Sequence, residues 1–168
     1  VRRQVVEVRG FPREPCGLGV RELETGDDDT FSRTRIVYDV EYGVSAAAWV
    51  CVPHDNETPL PAVVCAHPRG PGKDELVGLV GCTPGADFAT TLASRGYVTV
   101  APDARCFGER RAHEDGLGLA GSLLGRPLVG MQVWDLLCAA RYAGSRPDVN
   151  ARRVGLAGMG MGALVSIM

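Results

Sequence analysis

The stretch that most constrains this chain is residues 153–163, R-V-G-L-A-G-M-G-M-G-A, near the carboxyl end. Residues 154–157 form an apolar run with the length of a short buried strand. Gly158, Gly160 and Gly162 follow at alternate positions, and Ala163, Leu164, Val165 and Ile167 then begin a helix. Strand, sharp glycine turn and helix together suit two different sites. In one, G-x-S-x-G, a strained turn presents a nucleophile above a sheet. In the other, G-x-G-x-x-G/A, the turn and the helix start receive a dinucleotide pyrophosphate. Gly158, Gly160 and Ala163 satisfy the second pattern as written. Gly158 and Gly162 satisfy the first, with Gly160 standing where Ser is required.

The length of 168 residues suits one ordinary domain. Apolar residues make up 45% and charged residues 23%, which places the chain among soluble globular proteins. A net charge of −2 gives no electrostatic footprint for nucleic acid or an anionic membrane. No apolar run approaches the roughly 18 residues of a membrane span, and residues 1–24 do not read as a signal peptide. The chain starts on Val1 and stops a few residues into a helix, so both ends are expected to lie inside a longer protein. Lys73 is the only lysine among 18 basic residues, which reads as compositional bias. The six cysteines show no C-x-x-C spacing and no histidines cluster with them, so no metal site is expected. Cys51, Cys65 and Cys138 sit in apolar runs as small buried hydrophobes, consistent with a reduced, cytoplasmic setting.

Residues 1–24 have mixed charge and no clear period, and Asp27, Asp28 and Asp29 make an acidic turn. The expected division is an N-terminal extension over 1–30 and one α/β domain over 31–168. Residues 34–42 and 46–52 read as an antiparallel strand pair, with a surface connection over 54–61. Residues 62–66, A-V-V-C-A, read as a central parallel strand covered on both faces. Thr83 and Pro84 predict a helix start, as N-cap and first helical residue, for a helix running to about Arg95 and stopped by Gly96. Residues 97–101 are the next strand, and 102–125 are a long loop of the kind that often lines a site. Residues 126–143 carry an apolar stripe at helical spacing. Strand-helix alternation predicts a three-layer α/β/α sandwich around a mostly parallel sheet with an antiparallel N-terminal strand pair.

Four segments in order then resemble a known family. They are C-A-H-P-R-G-P-G-K-D-E-L-V-G, D-F-A-T-T-L-A-S-R-G-Y-V-T-V-A-P-D-A-R-C-F-G-E-R, W-D-L-L-C-A-A-R-Y and R-R-V-G-L-A-G-M-G-M-G. Together they are similar to the α/β-hydrolases of the dienelactone hydrolase and acetylxylan esterase type, over residues 35–168. The resemblance implies carboxylic-ester hydrolysis by a serine at the turn, with an acid and a histidine further along, no cofactor, and a small-molecule ester as partner. It implies an eight-stranded sheet, with about five strands in this chain. It places Gly160 at the nucleophile position, Met161 and Arg69 as the backbone donors of an oxyanion hole, and Gly158 and Gly162 as the small residues that let strand and helix pack. His67 and Gly70 would then support the oxyanion loop. Asp103 is expected to organise its loop through Arg105, Arg110 or Arg111.

Glycine at the nucleophile position keeps the turn and removes the hydroxyl, since Gly adopts positive φ without steric cost. The resemblance therefore predicts an inactive relative in this chain. Two alternatives stand beside it: a non-catalytic binding or assembly module of the same fold, and a dinucleotide-binding domain using Gly158, Gly160 and Ala163. Residues 154–157 are also expected to form an apolar edge strand through which copies could associate.

Overall fold

The computed structural model describes residues 16–54, 59–81 and 83–168. Residues 55–58 of the expected 54–61 connection, and residues 1–15 of the expected extension, lie outside that set. Six strands form one sheet: β1 (Arg21–Asp27), β2 (Phe31–Glu41), β3 (Val44–Pro53), β4 (Leu60–Ala66), β5 (Val98–Pro102) and β6 (Val149–Gly158). Their spatial order is β1-β2-β3-β5-β4-β6. The first three strands form an antiparallel ribbon, β3 meets β5 antiparallel, and β4 runs parallel to β5 and β6.

The ribbon is built locally. Glu41 pairs with Val44 across Tyr42 and Gly43, and Gly43 has φ 73°. A two-residue hairpin loop needs such left-handed backbone, which glycine supplies. Alternation then sorts the strands' side chains between two cores. Ile36, Tyr38, Val40, Ala46, Ala48, Val50, Ala62, Val64, Val98 and Val100 face one side, and Trp49, Cys51, Cys65 and Ala101 face the other.

Helices cover both faces. Between β4 and β5 come α1 (Lys73–Leu76) and α2 (Phe88–Ala93), which bring Leu76, Ala89 and Ala93 onto the Trp49 side. Between β5 and β6 come a 3-10 turn (Gly108–Arg110), α3 (Glu114–Leu123) and α4 (Leu128–Ser145); α4 packs Val133, Leu136, Ala139 and Tyr142 onto the Tyr38 side. After β6, α5 (Met161–Ile167) adds Val165 to that side. The chain leaves β4 toward β5 and returns past it to β6, so right-handed crossovers put the two connections on opposite faces.

The helix expected from Thr83 begins only at Phe88. Pro84 and Gly85 are instead the centre of a turn closed by Ala86 N–H donating to the Thr83 carbonyl, with Gly85 at φ 74°. Pro followed by a positive-φ Gly is turn chemistry, and it overrides the capping signal. Gly96 does end the helical stretch, at φ 88°. Within the expected 102–125 loop, ten residues form α3. Its three glycines lower helix propensity, but Gly121 is required: a Cβ there would lie 2.8 Å from Met131 Cε and press on the Arg126 carbonyl.

β1 was not foreseen as a strand. All seven of its residues are exposed, so it has no buried face and shows no alternation. β6 pairs with β4 alone among the described strands, and Leu156 on it is 44% exposed. No helix among the described residues is long and apolar enough to cross a membrane.

Candidate functional site

Neighbouring parallel strands whose following helices go to opposite faces leave a crevice at their carboxyl ends. Here β4 is followed by α1 on one face, and β6 by α5 on the other. The crevice lies between residues 67–72 after β4 and residues 158–162 after β6, with Pro68 nearest to position 160 and the Ala66 and His67 carbonyls nearest to Gly162.

Gly160 has φ 55° and ψ −119° between β6 and α5. The three glycines of this turn are not equivalent. A Cβ on Gly158 would lie 2.6 Å from Ala163 N and closer still to the Gly162 carbonyl. One on Gly162 would lie 2.6 Å from the His67 carbonyl oxygen and closer to that of Ala66. Real Cβ atoms do not approach backbone that closely, so both positions exclude any side chain. A Cβ on Gly160 would meet only Pro68, at 3.5 Å, an ordinary van der Waals distance. The turn is fastened to β4 by Met159 N–H, which donates to the Ala66 carbonyl at 3.2 Å, and closed by Gly162 N–H donating to Met159 at 2.9 Å. Met161 opens α5, so its N–H has no acceptor within the helix.

Across the crevice, His67 is 1% exposed. Its Nε2 faces the Ala104 N–H at 3.0 Å, and its Nδ1 faces the Pro68 carbonyl at 2.6 Å. A backbone N–H only donates, so Nε2 must accept and Nδ1 must carry the proton. Burial lowers the imidazole pKa, against a rise from the Pro68 bond and the Asp103 charge. His67 is thus a neutral tie between the loop after β4 and the loop after β5. The unfolded imidazole takes up its proton near pH 6.5, and the folded one only at lower pH. In that window the unfolded state binds more protons, so stability falls as pH drops. The unfolding free energy from urea titration is expected to fall as the pH drops from about 7.5 to about 5.5, by no more than ~1.4 kcal/mol per pH unit. His67→Gln should flatten that dependence.

Arg69 projects its guanidinium outward, donating to both Glu114 oxygens at 2.7 and 2.6 Å. It lies over the Phe107 ring, which packs against His67 in a T-shaped contact with centroids 5.5 Å apart. Gly70 lies against the buried Glu75, whose Oε2 would be 3.2 Å from a Cβ on it. The other oxygen, Glu75 Oε1, accepts the Thr83 N–H at 2.7 Å.

Asp103 does organise its loop, but not through the arginines expected. Its carboxylate accepts Lys73 N–H at 2.7 Å and Glu109 N–H at 2.9 Å, with Lys73 Nζ at 3.4 Å. Gly72 and Gly108 close around it, and a Cβ on either would strike it. Burial raises the Asp103 pKa, opposed by the Lys73 amide and charge. Arg105 and Arg110 bind Asp135 on α4 instead, and Arg110 reaches only the Asp103 main-chain carbonyl. The residue that sequence reasoning missed is Lys73. It is 1% exposed, with Nζ 2.6 Å from Glu109 and 3.1 Å from Asp74. Its acidic neighbours Asp74 and Glu75 gave no signal that it would be buried.

No protein-family model matches the sequence. The Bacillus subtilis protein named "Putative hydrolase YtaP" is 31% identical over 159 residues, covering 92% of this chain. The chain spans about half of that relative, 52%. Among solved structures, a protein from Bacteroides fragilis described as "a putative acetyl xylan esterase" superposes with a TM-score of 0.84 at 17% identity, over 98% of this chain and 47% of its own. An acetyl xylan esterase from Paenibacillus sp. R4 gives 0.68 at 20% identity, over 98% and 51%. A glucuronoyl esterase from Solibacter usitatus gives 0.67 at 14% identity, over 99% and 53%.

Proposed function

Because the chain carries part of an α/β-hydrolase fold of the acetyl xylan esterase type, we propose that its crevice is an ester-hydrolase site in which Gly160 holds the nucleophile position and leaves the chain without turnover. One observation carries this reading. Of the three turn glycines, only Gly160 has space for a side chain, and it points at the loop after β4. A serine there would place its oxygen between the two segments that offer Met161 N–H and Arg69 N–H.

Those two amides are the proposed oxyanion hole. Negative charge develops on an ester carbonyl oxygen only as the tetrahedral state forms, so donors fixed there lower the barrier. Pro68 lacks an N–H and cannot be the second donor. Gly158 and Gly162 let β6, α5 and β4 approach closely enough to hold the first donor. His67 and Gly70 hold the segment that carries the second. The proposed substrates are small-molecule esters, carbohydrate esters among them, in keeping with the names of the structural neighbours.

The test is Gly160→Ser in the longest natural polypeptide that contains this sequence, assayed on p-nitrophenyl acetate. The parent is expected at the buffer rate. The variant is expected at least about tenfold above it, still far below the full effect of a serine triad. A folded variant with no gain would sink the assignment of position 160.

A further inference from the structure

The bidentate pair of Arg69 and Glu114 adds a side-chain fork to the ties between the loop after β4 and the 102–125 insertion, which His67 with Ala104 and Lys73 with Asp103 make deeper in the fold. Arg69 lies in the loop after β4, and Glu114 is the first residue of α3, in the 102–125 insertion. We propose that Glu114 is a positioning residue for the crevice: by clamping the Arg69 guanidinium, it fixes the direction of the Arg69 main-chain N–H. This rests on the reading of that N–H as an oxyanion donor.

Three observations converge on it. The pair uses both terminal Arg nitrogens and both Glu oxygens, a planar fork that sets orientation as well as distance. Phe107 packs beneath the guanidinium and against His67, so the Arg69 side chain is held from two directions. Residue 69 follows Pro68, the residue that faces position 160. The Arg69 N–H shares its peptide with the Pro68 carbonyl, which accepts from His67 Nδ1 at 2.6 Å, so His67 holds one side of that peptide and the Arg69 fork the other.

The clamp is also of the right strength to move. The Arg69 side chain is 62% exposed and that of Glu114 28%. Partly exposed ion pairs shift equilibria by a few-fold, not by orders of magnitude. Held and released loops would both be populated, and salt would favour release. α3 then acts as a strap whose first residue tunes the crevice.

Two measurements on Glu114→Gln test this. In the parent chain, amide hydrogen exchange of residues 67–72 is expected to quicken about fivefold, with exchange in the middle of α4 unchanged. In the Gly160→Ser background, kcat on p-nitrophenyl acetate is expected to fall about fivefold with KM unchanged, and the swap Arg69→Glu with Glu114→Arg should recover most of it. Unchanged exchange at 67–72, or a loss confined to KM, would overturn the proposal. If Gly160→Ser shows no turnover, the hydrolase reading fails, and the exchange result alone decides whether Glu114 holds the loop.

Discussion

Alanine at Gly162 is expected to cost this chain about 3 kcal/mol or more, and alanine at Gly160 only about 1 to 2. The difference follows from what each Cβ meets. At Gly162 it would enter the Ala66 and His67 carbonyls, where the turn crosses the end of β4. At Gly158 it would enter the backbone of Gly162 and Ala163. Neither obstacle is a flexible side chain, so strand, turn or helix must shift. At Gly160 the space is open to 3.5 Å, and the penalty is the left-handed backbone alone, at φ 55°. Urea unfolding of the three single variants checks this ranking. Equal losses at all three would mean that the turn is not packed as described. A serine at position 160 carries the same backbone cost as alanine, so Gly160→Ser should fold.

The second large effect is expected at Lys73. Lys73→Met should destabilise the chain by about 3 to 5 kcal/mol, the usual result of removing one partner from a buried pair. The lysine sits among Asp74, Asp103 and Glu109, with its ammonium 5.9 Å from the centroid of the Trp49 ring. Burial alone would lower its pKa, but the Glu109 bond and the Asp103 charge hold it above the ordinary lysine range. Without it, Asp103 stays fully buried beside two N–H donors with no counter-charge. Asp103→Asn should also be costly, because its amide would turn a donor toward one of those N–H groups. The two changes share one interaction, so the double variant should lose less than the sum. Thermal unfolding of the singles and the double measures the coupling, and strict additivity would dissolve the claimed pair.

Most of the sheet was legible because β2 to β5 are half or fully buried and carry apolar residues at the period of a strand. β1 was not, since a strand exposed on both sides has no reason to alternate. The short α2 and the hidden α3 have opposite causes. Thr83 and Pro84 read as a helix start, and only the Ala86-to-Thr83 hydrogen bond and the positive φ of Gly85 make that stretch a turn. Gly116, Gly118 and Gly121 weaken any helix signal, yet Gly121 is fixed by the close corner between α3 and α4. The turn at 158–162 was legible as a turn. Which glycine could bear a side chain was not, because that depends on β4, about ninety residues earlier in the chain. Lys73 escaped for the same reason: its partners Asp103 and Glu109 come thirty or more residues later.

The bonding of His67 has a chemical corollary. Both ring nitrogens are committed to main-chain partners, one giving and one receiving. The imidazole has no lone pair left with which to lift a proton from an alcohol in the crevice. A serine restored at position 160 would therefore sit near a histidine that cannot serve as its base.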